Sequence, residues 1–236
     1  MNIKSNPGKN LFIKVEGKKY ARYPIKTHLI TPEEKDLSET VLRYTKNITK
    51  LGDIIFIGEK SVAISQKRAY HKKDVKPSKL AYFLVRFVTK TPIGIGLGSP
   101  ETMQLAIEEA GVIRILVATF IAGITKPFGI KGMFYIIAGS KARAIDGAAS
   151  YVIAPYNEYV SKGPSEPNKT AEEISQKIGL PVAIVDACDF GVKVLGASKS
   201  INKKLVVQAL KDNPLGQTDE QTPIGILREE KDVSDD

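Results

Sequence analysis

The hydrophobic positions of this chain form short apolar runs, separated by turn residues and by amphipathic stretches. The run at 182–185 is mostly β-branched and has no polar residue in alternation, which predicts a strand buried on both faces. A similar run at 54–57 follows the turn residues Gly52 and Asp53 and predicts a second strand. Five further strands are predicted from alternation or short apolar runs, at 11–15, 18–23, 61–65, 133–138 and 223–227.

Helical spacing of apolar residues predicts the helices. Ser99 is the expected N-cap of a helix that begins at Pro100 and ends at Gly111. The segment 112–124 is apolar on all sides, which predicts a helix in the core or in a homodimer interface. Capping patterns place other helix starts at Thr31 or Asp36, at Thr170 and at Ser200, and 80–88 fits either a helix or a strand.

Length and charge limit the class of protein. A chain of 236 residues fits one large domain or two small ones, and its net charge of +9 suits an acidic partner such as a polyphosphate nucleotide or a nucleic acid. We expect one catalytic unit over 1–228, with two subdomains that could meet near 80–100, and a disordered acidic tail at 229–236.

Cysteine content and hydropathy predict the compartment. The single cysteine, Cys188, excludes an intrachain disulfide and suggests a reducing compartment. The most apolar segment contains Arg114 and is too short to span a bilayer. We therefore expect a cytoplasmic protein with no membrane partner.

Two carboxylates follow the buried run at 182–185. Asp186 and Asp189 stand beside Gly191, at the expected carboxyl end of the strand, where α/β sheets often hold a ligand. Carboxylate oxygens suit a hard divalent cation. The alternative is that Asp186 caps a turn and Asp189 is solvated.

A glycine-rich loop precedes the helix that begins at Pro100. Gly94, Gly96 and Gly98 could offer backbone N–H groups to an anion at the helix N-terminus. Neither the Walker A pattern nor the full Rossmann fingerprint is present, and glycines needed only for packing are an equal alternative.

Basic side chains supply further candidate phosphate ligands. Lys60 and Arg68 bracket the predicted strand 61–65, and Lys141 lies near Asp146 beside two glycines. Such bases can hold phosphate or carboxylate oxygens, although they could equally be solvated surface residues.

The segments 52–60 and 61–68 resemble the Gly-Asp strand and the following Gln-Lys-x-x-Ser element of the gamma-glutamyl ligases of the deazaflavin coenzyme F-420. The segment 25–37 and the stretch from Thr170 to Asp186 resemble other parts of the same family. This resemblance implies an α+β mixed-sheet fold and an intertwined homodimer. It also implies GTP (or ATP) as co-substrate, Mg²⁺ or Mn²⁺ as cofactor, and a small carboxylate and an amino acid as substrates.

The resemblance also assigns roles to residues. Asp186 matches a metal ligand, Asp146 falls near the second metal-ligand position, and Lys60 and Arg68 fall on the nucleotide or substrate side. The family's Asp-Thr-x-Gly-Arg is replaced here at 186–192, without its threonine and arginine, although Lys193 could supply a charge.

Three functions follow from these observations. The first is a metal-assisted ligase that forms an amide bond through an acyl phosphate. The second is a non-catalytic nucleotide- or deazaflavin-binding protein of the same fold, which the missing threonine and arginine favour. A nucleic-acid-binding module ranks last because the basic residues are spread along the chain and no helix carries a recognition motif.

Overall fold

A computed structural model describes residues 3–34, 36–88, 96–130, 132–188 and 191–230. The chain divides into two compact units, of which unit 1 comprises 1–66 and 164–236 and unit 2 comprises 67–163. The sequence predicts that two subdomains could meet near 80–100; the described residues of that stretch, 80–88 and 96–100, lie within unit 2.

The elements form an α+β fold. In chain order they are β1 (Phe12–Val15), β2 (Lys18–Ile25), α1 (Leu37–Thr45), β3 (Ile54–Gly58), α2 (Glu59–Ser65), β4 (Ala69–His71), α3 (Lys79–Val85), α4 (Pro100–Ala110), α5 (Val112–Thr125), α6 (Met133–Arg143), β5 (Tyr159–Ser161), α7 (Pro167–Ile178), β6 (Val182–Cys188), β7 (Gly191–Ala197), α8 (Lys203–Ala209) and β8 (Ile224–Glu230).

Unit 1 is built on a six-stranded mixed sheet with the strand order β1-β2-β8-β3-β6-β7. Strands β3 and β6 are parallel and the other neighbouring pairs are antiparallel. Residues 55–57 and 182–185 are fully buried, which explains why both runs are continuously apolar. Gly225 of β8 leaves room for the Phe56 ring, because a Cβ atom there would lie 2.1 Å from it.

Two predicted strands are helices. The segment 61–65 belongs to α2, which buries three consecutive residues, Val62, Ala63 and Ile64, and so does not follow the alternation of a strand. The segment 133–138 belongs to α6, which begins after Gly132. Both predictions were wrong because a short apolar run fits a helix and a strand equally well.

Helix starts differ from the capping patterns in two cases. Helix α1 is capped by Asp36, whose side chain accepts a hydrogen bond from the Ser38 N–H, so the second of the two predicted starts is correct. Helix α7 begins at Pro167 rather than after Thr170, since proline suits the first helical turn. Helix α8 is capped by Asn202 and not by Ser200.

Strand ends also differ from expectation. Strand β6 continues to Cys188, so Asp186 lies within the strand and does not cap a turn. Strand β8 continues to Glu230, so the first two residues of the predicted acidic tail are part of the sheet, and 231–236 lie outside the described residues.

Unit 2 contains the two-stranded sheet of β4 and β5 and the helices α3 to α6. Its core includes Leu84, Leu97, Met103 and Ile115. The predicted Ser99 cap of α4 is confirmed. Helix α5 buries only Ile115 and Ala118, so the core interpretation is wrong for the rest of its apolar surface. Within the described ranges, no helix is long and apolar enough to cross a membrane.

Candidate functional site

The carboxyl ends of β3 and β6 meet at one edge of the unit 1 sheet. The two strands are parallel, and Gly58 at the end of β3 pairs with Val185 of β6. Lys60 follows Gly58 by two residues in the first turn of α2, and Asp186 follows Val185 directly. The structure therefore brings two predicted site residues to the edge where α/β sheets bind ligands.

Asp186 stands opposite a basic residue. In the antiparallel pair of β6 and β7, the residue directly across from Asp186 is Lys193. Asp186 is half-buried and Lys193 is exposed. Residues opposite each other in an antiparallel pair have Cβ atoms about 4.5–5.5 Å apart, so the ammonium group of Lys193 can reach the carboxylate.

Asp146 and Arg68 flank strand β5 in unit 2. The backbone of Asp146 exchanges two hydrogen bonds of 2.9 Å with Ser161, and the Lys162 N–H donates to the Arg68 carbonyl at 2.9 Å. The structure thus places these two predicted residues on either side of one short strand. Lys60 and Asp186 belong to the other unit.

The guanidinium group of Arg68 is engaged within unit 2. Its Nη2 lies 3.0 Å from a carboxylate oxygen of Glu109, and its Nε donates to the Gly163 carbonyl at 2.7 Å. Lys162 lies 2.8 Å from Glu108 and 3.5 Å from Glu109, which completes a network of two acids and two bases. Sequence reasoning missed Glu108, Glu109 and Lys162, since no local spacing links α4 to the end of β5.

This network shifts the pKa of two of its members. Burial by itself would raise the pKa of Glu108, but hydrogen bonds from Lys162 and Gln104 and the charge of Lys162 lower it below its usual value. Burial by itself would lower the pKa of Lys162, but the hydrogen bond and the charge of Glu108 raise it. Both groups are therefore ionised around neutral pH.

The described part of the glycine loop, from Gly96 onward, packs within unit 2. Gly96 has a φ of +46°, and a Cβ atom there would lie 3.2 Å from the Tyr135 hydroxyl, while Leu97 is buried in the core. Ser99 and Thr102 form a capping box, which satisfies two backbone N–H groups at the start of α4. These contacts favour the packing alternative. Gly98 is half-buried, and Gly94 lies outside the described residues.

A cavity of about 240 Å³ lies at the same end of α4. It is lined by Ser99 and by the charged side chains of Lys72, Glu101 and Glu158, and Lys72 lies 2.6 Å from Glu158. Two carboxylates beside one ammonium group leave this cavity negative. It therefore does not suit a polyphosphate.

The remaining predicted residues are more dispersed. Lys141 is exposed in the last turn of α6, and Asp189 lies outside the described residues. The part of the chain that the structure describes contains no group of three or more His, Cys, Asp or Glu side chains placed to hold a metal ion.

Comparison with known proteins shows the family. No curated protein sequence matches the chain. The sequence profile of the family described as F420-0:gamma-glutamyl ligase matches residues 24–195, which is well over half of the chain and includes Lys60, Arg68, Asp146 and Asp186. The chain therefore belongs to the F420-0:gamma-glutamyl ligase family.

Proposed function

We propose that this protein is a ligase that uses a nucleoside triphosphate, GTP in the first instance, to join the amino group of glutamate to a carboxylate. The family membership supports this activity. The structural observation that carries the proposal is the register of β3 and β6, because it puts Lys60 and Asp186 at one edge of the sheet.

Divalent-cation assistance fits the residues at this edge. Mg²⁺ is usually held by one or two carboxylates together with waters and substrate phosphates, so Asp186 does not need a cluster of three protein acids. Asp189 would add a second carboxylate from the same segment. When bound, Mg²⁺ or Mn²⁺ would neutralise charge on the phosphate oxygens. Asp146 belongs to unit 2, so its proposed role as a metal ligand is tested with a separate variant.

The proposed reaction has two steps. An oxygen of the acceptor carboxylate forms a bond to the γ-phosphorus while the bond to the nucleoside diphosphate breaks, which gives an acyl phosphate. The glutamate amine then attacks the acyl carbon, phosphate leaves, and the amine proton passes to water. Lys60 would neutralise phosphate oxygens in both steps, where charge crowding is the main barrier.

Other basic residues have supporting parts in this proposal. Arg68 already binds Glu109 and the Gly163 carbonyl. We therefore propose that it holds these groups of unit 2 in position and is not a direct phosphate ligand. Lys141 is exposed in unit 2, and its role as a phosphate ligand is proposed separately from the Lys60 and Asp186 edge of unit 1. We also propose a homodimer, which sedimentation equilibrium at micromolar concentration tests.

A second candidate function is nucleotide or deazaflavin binding without catalysis. It is favoured by the position of Lys193 opposite Asp186, because an ammonium group there competes with a cation for the carboxylate. The absence of the family's threonine and arginine at 187–192 points the same way.

The test is Asp186→Asn, which removes one charge with little change of shape. We expect Mn²⁺ affinity in the presence of GTP, measured by calorimetry, to fall by about 100-fold or more, since even residues that only orient metal ligands cost about 10- to 100-fold. Phosphate release from GTP with glutamate and F420-0 should stop. Asp146→Asn is measured in the same way, and Asp74→Asn, an exposed carboxylate of unit 2, is the control.

The outcomes separate the two candidates. Wild-type cation affinity in Asp186→Asn would remove Asp186 from the site. GTP binding by the wild type without phosphate release would leave the non-catalytic binding protein as the function.

A further inference from the structure

The cavity at the start of α4 combines acidic, basic, neutral polar and apolar residues. Its volume is about 240 Å³, and every residue that lines it belongs to unit 2. Three segments meet there, namely the start of α4, the segment that follows Asp146 and the end of the β4–β5 pair. We call it the unit 2 cavity. Its lining includes Lys72, Glu101, Ala148, Ser150, Asn157 and Glu158.

Lys72 and Glu158 form a wall whose position is set by the β4–β5 pair. The last residues paired in this small sheet are His71 and Tyr159, and Lys72 and Glu158 come directly beyond them. The Lys72 N–H donates to the Glu158 carbonyl at 2.9 Å, and the Lys72 ammonium lies 2.6 Å from the Glu158 carboxylate. The hydrogen bond and the charge of Lys72 lower the pKa of Glu158, so this carboxylate is ionised at neutral pH. The wall therefore presents an ammonium group and a carboxylate side by side.

Glu101 lines the cavity from helix α4. It is the second residue of the helix and is half-buried. Among the residues that the structure describes, its carboxylate has no hydrogen-bond or ion-pair partner. A carboxylate accepts hydrogen bonds at both oxygens, and a partly buried one is stabilised by a donor. Glu101 can therefore accept hydrogen bonds from a group that enters the cavity.

These side chains match the two ends of an α-amino acid. A ligand ammonium group has three N–H donors, and the oxygens of Glu101, Glu158 and the Asn157 amide are three acceptors in the same cavity. The Lys72 ammonium and the Ser150 hydroxyl are donors for the ligand carboxylate. A few polar groups of both kinds in one concave site are typical of a small-molecule site.

Charge and volume restrict the side chain of the amino acid. Lys72, Glu101 and Glu158 sum to one negative charge, so an acidic ligand side chain would be repelled and a basic one attracted. A volume of about 240 Å³ equals that of about eight waters at roughly 30 Å³ each, which suits an amino acid of the size of lysine. Ala148 adds apolar surface for the methylene groups of such a side chain.

A divalent cation fits this cavity less well. The Lys72 ammonium, 2.6 Å from Glu158, would repel a cation held by that carboxylate. The described ranges also contain no group of three or more His, Cys, Asp or Glu side chains placed to hold a metal ion. A ligand ammonium group can instead share Glu158 with Lys72, because the carboxylate has two oxygens.

We propose that the unit 2 cavity binds an α-amino acid with a basic side chain, with its α-ammonium group on Glu101 and Glu158 and its carboxylate on Lys72. The proposal does not depend on the ligase activity, because the glutamate of that reaction has the opposite side-chain charge.

The test is calorimetric titration of the full-length protein with lysine, without nucleotide or metal. We expect lysine to bind, and glutamate to bind at least about tenfold more weakly because of its side-chain charge. Glu101→Gln should weaken lysine binding by about tenfold or more, since a hydrogen bond to a charged acceptor is lost. Lys72→Met should weaken the binding of lysine but strengthen that of butylamine, an amine without a carboxylate, because Glu158 then has no competing ammonium group.

Glu39→Gln is the matched control. Glu39 is also a glutamate in the first turn of a helix, but it is exposed on α1 in unit 1. The lost charge is at the same helical position in both variants, and only Glu101→Gln should change the lysine affinity. Circular dichroism confirms that each variant is folded.

Four results would overturn the proposal. The first is that the wild type does not bind lysine at about 10 mM. The second is equal affinity for lysine and glutamate. The third is wild-type lysine affinity in Glu101→Gln or, if that variant does not fold, an equal effect of Lys72→Met on lysine and butylamine. The fourth is Mn²⁺ binding without nucleotide that Glu101→Gln removes, because the cavity would then hold a cation.

Discussion

The carboxylate of Asp53 binds the guanidinium group of Arg228 through two hydrogen bonds. Nε of Arg228 donates to Oδ1 at 2.8 Å and Nη2 donates to Oδ2 at 2.7 Å. Asp53 is only 1% exposed, and its Oδ2 also accepts a hydrogen bond from the Lys50 N–H. The pair joins the start of β3 to β8, so the aspartate of the Gly-Asp motif has a structural role.

Removing one partner of this pair should destabilise the protein strongly. In Asp53→Asn the guanidinium group of Arg228 stays largely buried without its counter-charge, which typically costs about 3–5 kcal/mol of unfolding free energy. Urea denaturation measures the change. The control is Lys18→Met, which breaks the exposed pair between Lys18 and Glu229 and should leave the unfolding curve unchanged. A wild-type midpoint for Asp53→Asn would show that the pair contributes little.

Lys193 should control how strongly Asp186 attracts a cation. If its ammonium group competes for the carboxylate, Lys193→Ala raises Mn²⁺ affinity in calorimetry, and Lys193→Arg does not. If Lys193 instead binds phosphate in place of the family's arginine, Lys193→Ala lowers GTP affinity and leaves Mn²⁺ binding without GTP unchanged. Unchanged affinity for both ligands would remove Lys193 from the site.

Gly96→Ala distinguishes a packing turn from a phosphate loop. Alanine is strained at a φ of +46°, and its Cβ would crowd the Tyr135 hydroxyl, so we expect a loss of more than about 1 kcal/mol of stability. The GTP affinity of the folded protein should not change. Thermal melting and GTP titration of the same sample measure both quantities. Weaker GTP binding at an unchanged melting temperature would restore the loop to the nucleotide site.

The network around Glu108 should make stability depend on pH in the acidic range. The pKa of this carboxyl is lower in the folded protein than its usual value of 4.5, so its contribution is complete above that value and is lost as the pH falls through the folded pKa. Thermal melts at pH 7, 5, 4 and 3 measure this. The melting temperatures of the wild type and Glu108→Gln should differ at pH 7 and converge as the pH falls to 3. Lys162→Met removes the charge partner of Glu108, so the melting temperature of this variant should also depend less on pH than that of the wild type. Parallel curves for the wild type and Glu108→Gln down to pH 3 would contradict this assignment.

Several elements were determined by local sequence. The continuous apolar runs at 54–57 and 182–185 predicted the central strands, because a strand covered on both faces has no polar position. The cap at Ser99 was predicted because the signal lies within four residues of the helix start. The segments 52–60 and 61–68, together with 25–37 and the stretch from Thr170 to Asp186, indicated the family that the profile confirms.

The tertiary structure decided what local sequence leaves open. The segments 61–65 and 133–138 are helices because of the surfaces they pack against, and a short apolar run does not specify those surfaces. The partner of Arg68 is Glu109, and that of Asp53 is Arg228, and both pairs are far apart in the chain. Lys193 lies opposite Asp186 only because of the register of β6 and β7. The sequence determined that 112–124 is apolar, but only the packing of α5 on α6 decided which side faces solvent, since burial depends on the surfaces that meet it.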